Sequence, residues 1–417
     1  MISSSERATP SPSRWRIFTA APHRIMFFGG ALQTVAAMLW WLVDLATRYA
    51  MPAHAISWPV APSAAHAYLL IYGLFPFFMF GFLMITFPRW MAGKEIPARR
   101  YVPAFVLLML GAVCFYLGLA SNKMLLAVSV ALTLCGWAIA CHALLRVLLD
   151  TPHRDKRHPI VALLTLAAGW CGVAAYLVWL LSGQAAWLNF SLQAGIWLFL
   201  LPEFVTVGHR MIPFFTSSAL PQCRVTNANW PWWVILVGSV SHGLLQLAGA
   251  SSWLWLCDAP LAASALYLSY AWNLRRSFTV PMLAVLHTGF AWLGIATLLF
   301  TVQSFTLLLN HGEHFLLGLA PLHALTIGCF STLLVGMATR VTLAHAGFSI
   351  NIRRPMWLLL AAIQAAVLLR ILADILPIQW SPWLYLAAAT AWLACFLPWV
   401  ITYLPTYLRP RADGRPG

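Results

Sequence analysis

Long apolar runs alternate along the chain with short polar breaks rich in arginine, and the runs have the length of membrane helices. A helix crossing a bilayer core needs about 20 mostly apolar residues. Twelve segments meet that test, at residues 25–46, 66–87, 102–120, 124–148, 160–181, 188–208, 231–249, 253–273, 282–305, 315–339, 356–376 and 383–405. The expected fold is therefore all-α, a single polytopic membrane domain of twelve transmembrane helices over 23–408. A short segment at 1–22 and a tail at 409–417 complete it, both expected on the cytoplasmic side. The loops are too short to hold a core of their own, and no convincing repeat relates the two halves.

The basic residues assign the sides. Lys and Arg collect in cytoplasmic loops. With the N-terminus inside, all but Arg48, Lys123 and Arg370 of the 25 Lys and Arg residues fall on the cytoplasmic side. An odd number of spans destroys this alternation. Residues 1–20 contain no apolar run, so a cleaved signal peptide is not expected and the first helix drives insertion.

Composition removes the remaining classes. Hydrophobic residues make up 61% and charged residues 8%, with 22 Trp and 24 Phe, whereas soluble chains carry about 25% charged residues. A soluble enzyme, a secreted disulfide scaffold and a disordered tail are all excluded, and the lipid bilayer is the first partner. The net charge of +15 does not point to nucleic acid, because its arginines lie in scattered short loops instead of on one soluble face. The eight cysteines are dispersed and form no C-x-x-C pair, so they read as small buried hydrophobes.

Histidines at membrane depth carry the candidate chemistry, since a side chain costly in hydrocarbon is a functional candidate by default. His66 opens the second span at its outer end, and His323 lies in the outer third of the tenth. His242 is near the middle of the seventh span, while His142 and His287 fall in the inner thirds of the fourth and ninth. His209, His345 and His23 stand at cytoplasmic helix ends. A lone membrane histidine most often just bonds a neighbouring helix. Several at matching depth can instead build a cofactor site in the bundle, and imidazole suits haem iron and copper. His66 and His323 share the outer depth and can ligate one haem from opposite faces. His242, His209 and His287 are the copper or second-haem candidates. His142 reads as a packing residue, and His54, His153, His158, His311 and His314 as loop residues. Glu203 is the one deep carboxyl and a candidate proton carrier. Asp44 and Asp258 lie near outer helix ends within reach of water, and Arg370 and Asp374 are spaced to satisfy each other.

Three stretches resemble the NnrS family. PLHALTIGCFSTLLVGMATRVTLAH at Pro321–His345 is similar to its HALT-x-G…GM-x-TRV-x-L-x-H-x-G signature, GHRMIPFFT at Gly208–Thr216 to its GxR-x-IPFFT segment, and His66–Trp90 to its HAH-x-x-x-x-G…GFL-x-T-x-P-x-W helix. Lesser echoes are PHRIMFF at Pro22–Phe28 and LHTGFAW at Leu286–Trp292. The resemblance implies a multi-pass protein of a bacterial inner membrane that contains haem, expected to be b-type, and copper. It also implies a role in the response to nitric oxide and nitrosative stress beside denitrification. The matching histidines are His66, His209, His287, His323, His345 and His23. The chain departs from the family at Tyr68, where a second histidine is usual and where a proton-route role is a further candidate. It departs again at Ala344 and Phe348 around the final histidine.

Two function classes follow. One is a haem and copper protein that handles nitric oxide or another diatomic ligand, with electrons from a donor. The other is a transporter for copper or a small solute, for which Pro76, Pro202 and Pro260 are the candidate kinks. A sensor or assembly partner without turnover ranks behind both, since no soluble signalling domain is present.

Overall fold

The computed structural model describes residues 13–153, 155–350 and 352–413. Residues 1–12 of the expected N-terminal segment, 414–417 of the tail, and the topology residues Arg7, Arg154 and Arg415 lie outside the described residues. The described residues contain no strand. Ten of their helices are long and apolar enough to cross a membrane: α1 (Pro22–Ala50), α2 (Pro62–Met91), α3 (Ala98–Leu119), α4 (Lys123–Asp150), α5 (Arg157–Ser182), α6 (Ala185–Ala219), α9 (Pro281–Leu309), α10 (Ala320–Ala346), α11 (Arg353–Ile375) and α12 (Ser381–Leu408). Two further helices, α7 (Asn229–Leu247) and α8 (Trp255–Ala271), stand where the seventh and eighth spans are expected. They fall below the same measure: α8 has 17 residues, and α7 carries Asn229, Pro231 and His242 within its 19.

Most helices adjacent in sequence pack side by side, and α12 closes against α1. Beside α9, whose most apolar stretch is 67% buried, the interior belongs to α2, α6 and α10. In their most apolar stretches 83%, 67% and 72% of the residues are buried, against 39% in α11 and α12, which turn much of their surface outward. One phenylalanine from each meets at the centre. The rings of Phe204 and Phe330 stack at 4.8 Å, and Phe75 sets its edge against both, at 5.5 and 6.2 Å.

Each of these three helices is also irregular. In α2 the helix opens at 72–74, because Pro76 has no N–H for the Tyr72 carbonyl and its ring crowds that oxygen. In α6 a π-helical stretch, Ala194–Leu200, ends just before Pro202. In α10 the π-helical stretch Ala324–Ser331 follows His323 directly. Two of the three expected kinking prolines thus sit at real breaks; Pro260 lies inside a continuous α8. Single-turn π segments collect at functional sites. Gly172 on α5 makes room for the middle of the bundle. A Cβ there would stand 2.0 Å from the hydroxyl of Tyr72, which donates to the Ser191 carbonyl at 2.6 Å.

Candidate functional site

At the end of the bundle where α2 and α10 begin, His66 stacks on Trp41 with ring centroids 4.1 Å apart. His323, at the start of α10, lies close enough to feel the charges of both His66 and Arg370. The two imidazoles expected to share a depth therefore share one neighbourhood. Its cation, Arg370, is held by Asp374 at 2.6 Å and lies 4.6 Å over the Tyr385 ring. The Arg370–Asp374 pair is the one the i,i+4 spacing predicts. Nδ1 of His323 meets the Leu319 carbonyl at 3.0 Å. A carbonyl only accepts, so Nδ1 carries the proton and Nε2 presents a lone pair.

The opposite end of α10 repeats that device. His345 closes α10, its Nδ1 donating to the Val341 carbonyl at 3.0 Å. The ring of His23, from the first turn of α1, stands 4.5 Å away, tilted by 47°. His23 is buried, and its Nδ1 has no hydrogen-bond partner among the described residues. Arg89 and Arg411 act electrostatically on both rings. The neighbouring Arg24 is bound to the carbonyls of Thr406, Tyr407 and Arg409, which ties the end of α12 to the start of α1.

Four more histidines are buried in the bundle. His209 on α6 donates Nε2–H to the Ala228 carbonyl at 2.9 Å, so its Nδ1 accepts from Nε2 of His158 at 3.1 Å. Both nitrogens of His209 are engaged, and Nδ1 of His158 is left without a partner. His287 on α9 lies 2.9 Å from Thr216, whose hydroxyl is donated to the Ile212 carbonyl; His287 therefore donates from Nε2, and its Nδ1 is unpartnered. His242 on α7 donates Nδ1–H to Asp258 on α8 at 2.7 Å, leaving Nε2 unpartnered, and its ring lies 3.4 Å from that of Trp197.

A cavity of about 60 Å³ lies at the bundle centre between α1, α2, α6 and α10. Phe27, Phe78, Phe204, Leu334 and Met337 wall it, and Glu203 is its one carboxyl. Glu203 is fully buried, accepts from Thr165 through one oxygen and leaves the other unpartnered. Phe27 touches both this cavity and the His23 ring, 6.2 Å away. Tyr68 lies apart from it, buried against Phe115 and beside a smaller cavity of about 10 Å³ with Gln33 and Thr133. The Tyr68 hydroxyl lies beside Thr133, and the Gln33 Nε2 has no hydrogen-bond partner among the described residues.

Several residues differ from their expected surroundings. His158 is a buried residue in the first turn of α5, not a loop residue. Asp258 is fully buried, and Asp44 is buried with bonds to Arg48 and to the Trp58 indole at 2.9 Å, so water solvates neither. His142 is exposed on the flank of α4 and packs no interior, and His54, His153, His311 and His314 are exposed. The sequence offered one usable signal for His158: it stands one position ahead of Pro159 at a helix start.

The family model described as NnrS protein matches residues 17–411. No curated protein matches the chain.

Proposed function

The chain belongs to the NnrS family, and from that premise we propose that it is a haem and copper protein of a bacterial inner membrane. In this reading it handles nitric oxide, or a diatomic ligand of the same size, and protects against nitrosative stress. The helices then form twelve spans with both termini cytoplasmic, α7 and α8 included.

The observation that carries the reading is the paired device on α10. His323 and His345 each tie Nδ1 to the carbonyl four residues before, which leaves Nε2 as the lone-pair nitrogen, and each has a second imidazole as a neighbour, His66 for the one and His23 for the other. Metal-ligating histidines are oriented in this way, with the far nitrogen fixed by a carbonyl or carboxylate. The donor sets fit the two groups expected. His66 and His323 offer two imidazoles to haem iron, with Arg370 beside them as a cation for a haem carboxylate. His23 and His345 offer two imidazoles to copper. Of the other expected ligands, His287 retains one free nitrogen, while His209 spends both on hydrogen bonds. An iron held by both imidazoles would have no open position, so a diatomic molecule would bind it only where one imidazole leaves, or would bind at the copper instead.

The chain's own residues do the rest. The central cavity is largely apolar, so it favours a small apolar molecule such as a diatomic gas over a hydrated ion. Glu203, buried with one free oxygen, holds a proton at the only carboxyl facing that space. Turnover would draw its electrons from a separate donor.

The breaks in α2, α6 and α10 at similar depth favour a second reading as a transporter. An absorption spectrum of the purified protein, with iron and copper quantified on the same sample, separates the two. A stoichiometric b-type haem whose bands move on adding nitric oxide supports the first reading. A colourless preparation from haem-replete cells overturns it and leaves transport.

A further inference from the structure

His242, Asp258 and Cys257 form a third polar cluster that the proposed haem and copper positions do not use. It lies near the outer ends of α7 and α8, where His242 is five residues from the end of its helix and Asp258 is in the first turn of the next. One donor atom from each residue falls within 4.8 Å of the others. His242 Nδ1 is 2.7 Å from Asp258 Oδ1, and Cys257 Sγ is 3.9 Å from the same oxygen.

A plain Asp–His hydrogen bond accounts for only part of this. His242 and Asp258 are both 0% exposed, yet Nε2 of the one and Oδ2 of the other have no partner among the described residues. An unpartnered buried carboxylate oxygen is unusual and a cation accounts for it, while the unpartnered Nε2 is left to take the imidazole proton once Nδ1 ligates. We propose that His242, Cys257 and Asp258 hold one divalent thiophilic cation, zinc(II) or copper(II).

Charge and softness select that class. A thiolate, a carboxylate and a neutral imidazole sum to two negative charges, which a divalent ion cancels and a monovalent ion does not. A buried site penalises any residual charge. The thiolate and imidazole donors disfavour magnesium and calcium, which take oxygen ligands. On binding, the Cys257 thiol loses its proton to water. The imidazole proton moves from Nδ1 to Nε2, which is free to take it, and Nδ1 then ligates the ion. Cys257 is half-buried, so the ion reaches the site past it from the outer end of α8. The proposal deepens the copper part of the function proposed above and rests on it only where copper is the ion bound.

The test uses the full-length protein in detergent, stripped by chelation and titrated separately with zinc(II) and copper(II). Bound metal is counted after desalting, and alkylation of Cys257 is mapped by mass spectrometry. Metal is expected to shield Cys257 from alkylation in the unaltered protein, a readout that needs no variant to fold. Cys257→Ser, Asp258→Asn and His242→Gln are each expected to weaken one binding event by at least about tenfold, while His345→Ala leaves that event unchanged. A thiolate-to-copper absorption band lost in Cys257→Ser identifies copper; protection without a band identifies zinc. Alkylation indifferent to both metals, or full retention of the bound ion by all three variants, overturns the proposal. A protein without haem that still protects Cys257 sinks the larger reading and leaves this site standing.

Discussion

His23 and His345 face each other with ring centroids 4.5 Å apart, one from the first turn of α1 and the other from the last turn of α10. Nothing local brings them together. The bundle has to close before this pair exists, and the Arg24 bonds to the carbonyls at the end of α12 hold that closure. If the pair binds copper, it binds as a unit. His23→Ala and His345→Ala should each remove the same copper ion, and the double variant should lose no more than either single one. Copper per chain, measured after desalting, decides this. Full copper in both single variants would move the metal elsewhere.

At the outer end, His66→Ala and His323→Ala should each abolish or severely weaken haem binding, because two imidazoles share one iron. The Soret absorbance per protein is the readout. Arg370→Gln should keep haem but raise its tendency to dissociate, since the cation beside the pair is gone. Haem retained at full occupancy by both histidine variants excludes the α2–α10 assignment.

Glu203→Gln keeps the size of the side chain and the bond with Thr165 but removes a transferable proton. Binding of nitric oxide should persist, while a proton-coupled turnover should fall by about 10²–10⁴-fold, the usual loss for a general acid. Stopped-flow binding and steady-state turnover on one preparation separate the two effects. Unchanged turnover would leave Glu203 a structural partner of Thr165.

Gly172→Ala tests the packing of the middle of the bundle. The new methyl would press on the Tyr72 hydroxyl and break its bond to Ser191. The expected loss is about 1–3 kcal/mol, in the range of overpacked cores. Adding Tyr72→Phe should recover part of it, because the clashing oxygen is then absent. By contrast Gly208→Ala, whose Cβ would meet its nearest neighbour at 3.6 Å, should melt close to the unaltered protein. Thermal denaturation in detergent reads both, and equal destabilisation at the two glycines would contradict this account.

The residues alone determined the membrane character, the all-helical fold and the family. Apolar run length and the spread of arginine are one-dimensional properties, and the three motif stretches are contiguous. Position along each helix was legible for the same reason: a helix rises by a fixed step, so His66 and His323 could be placed near the ends of their spans. Rotation of each helix about its axis was not legible, because the apolar runs are hydrophobic on nearly every face. Only the packed bundle decided that Asp258 turns inward to His242, that His158 is buried against His209, and that His23 meets His345. It also decided that Glu203 faces a cavity made by four helices. Each of these depends on which side of a helix meets which neighbour, and a bilayer rewards all apolar faces alike.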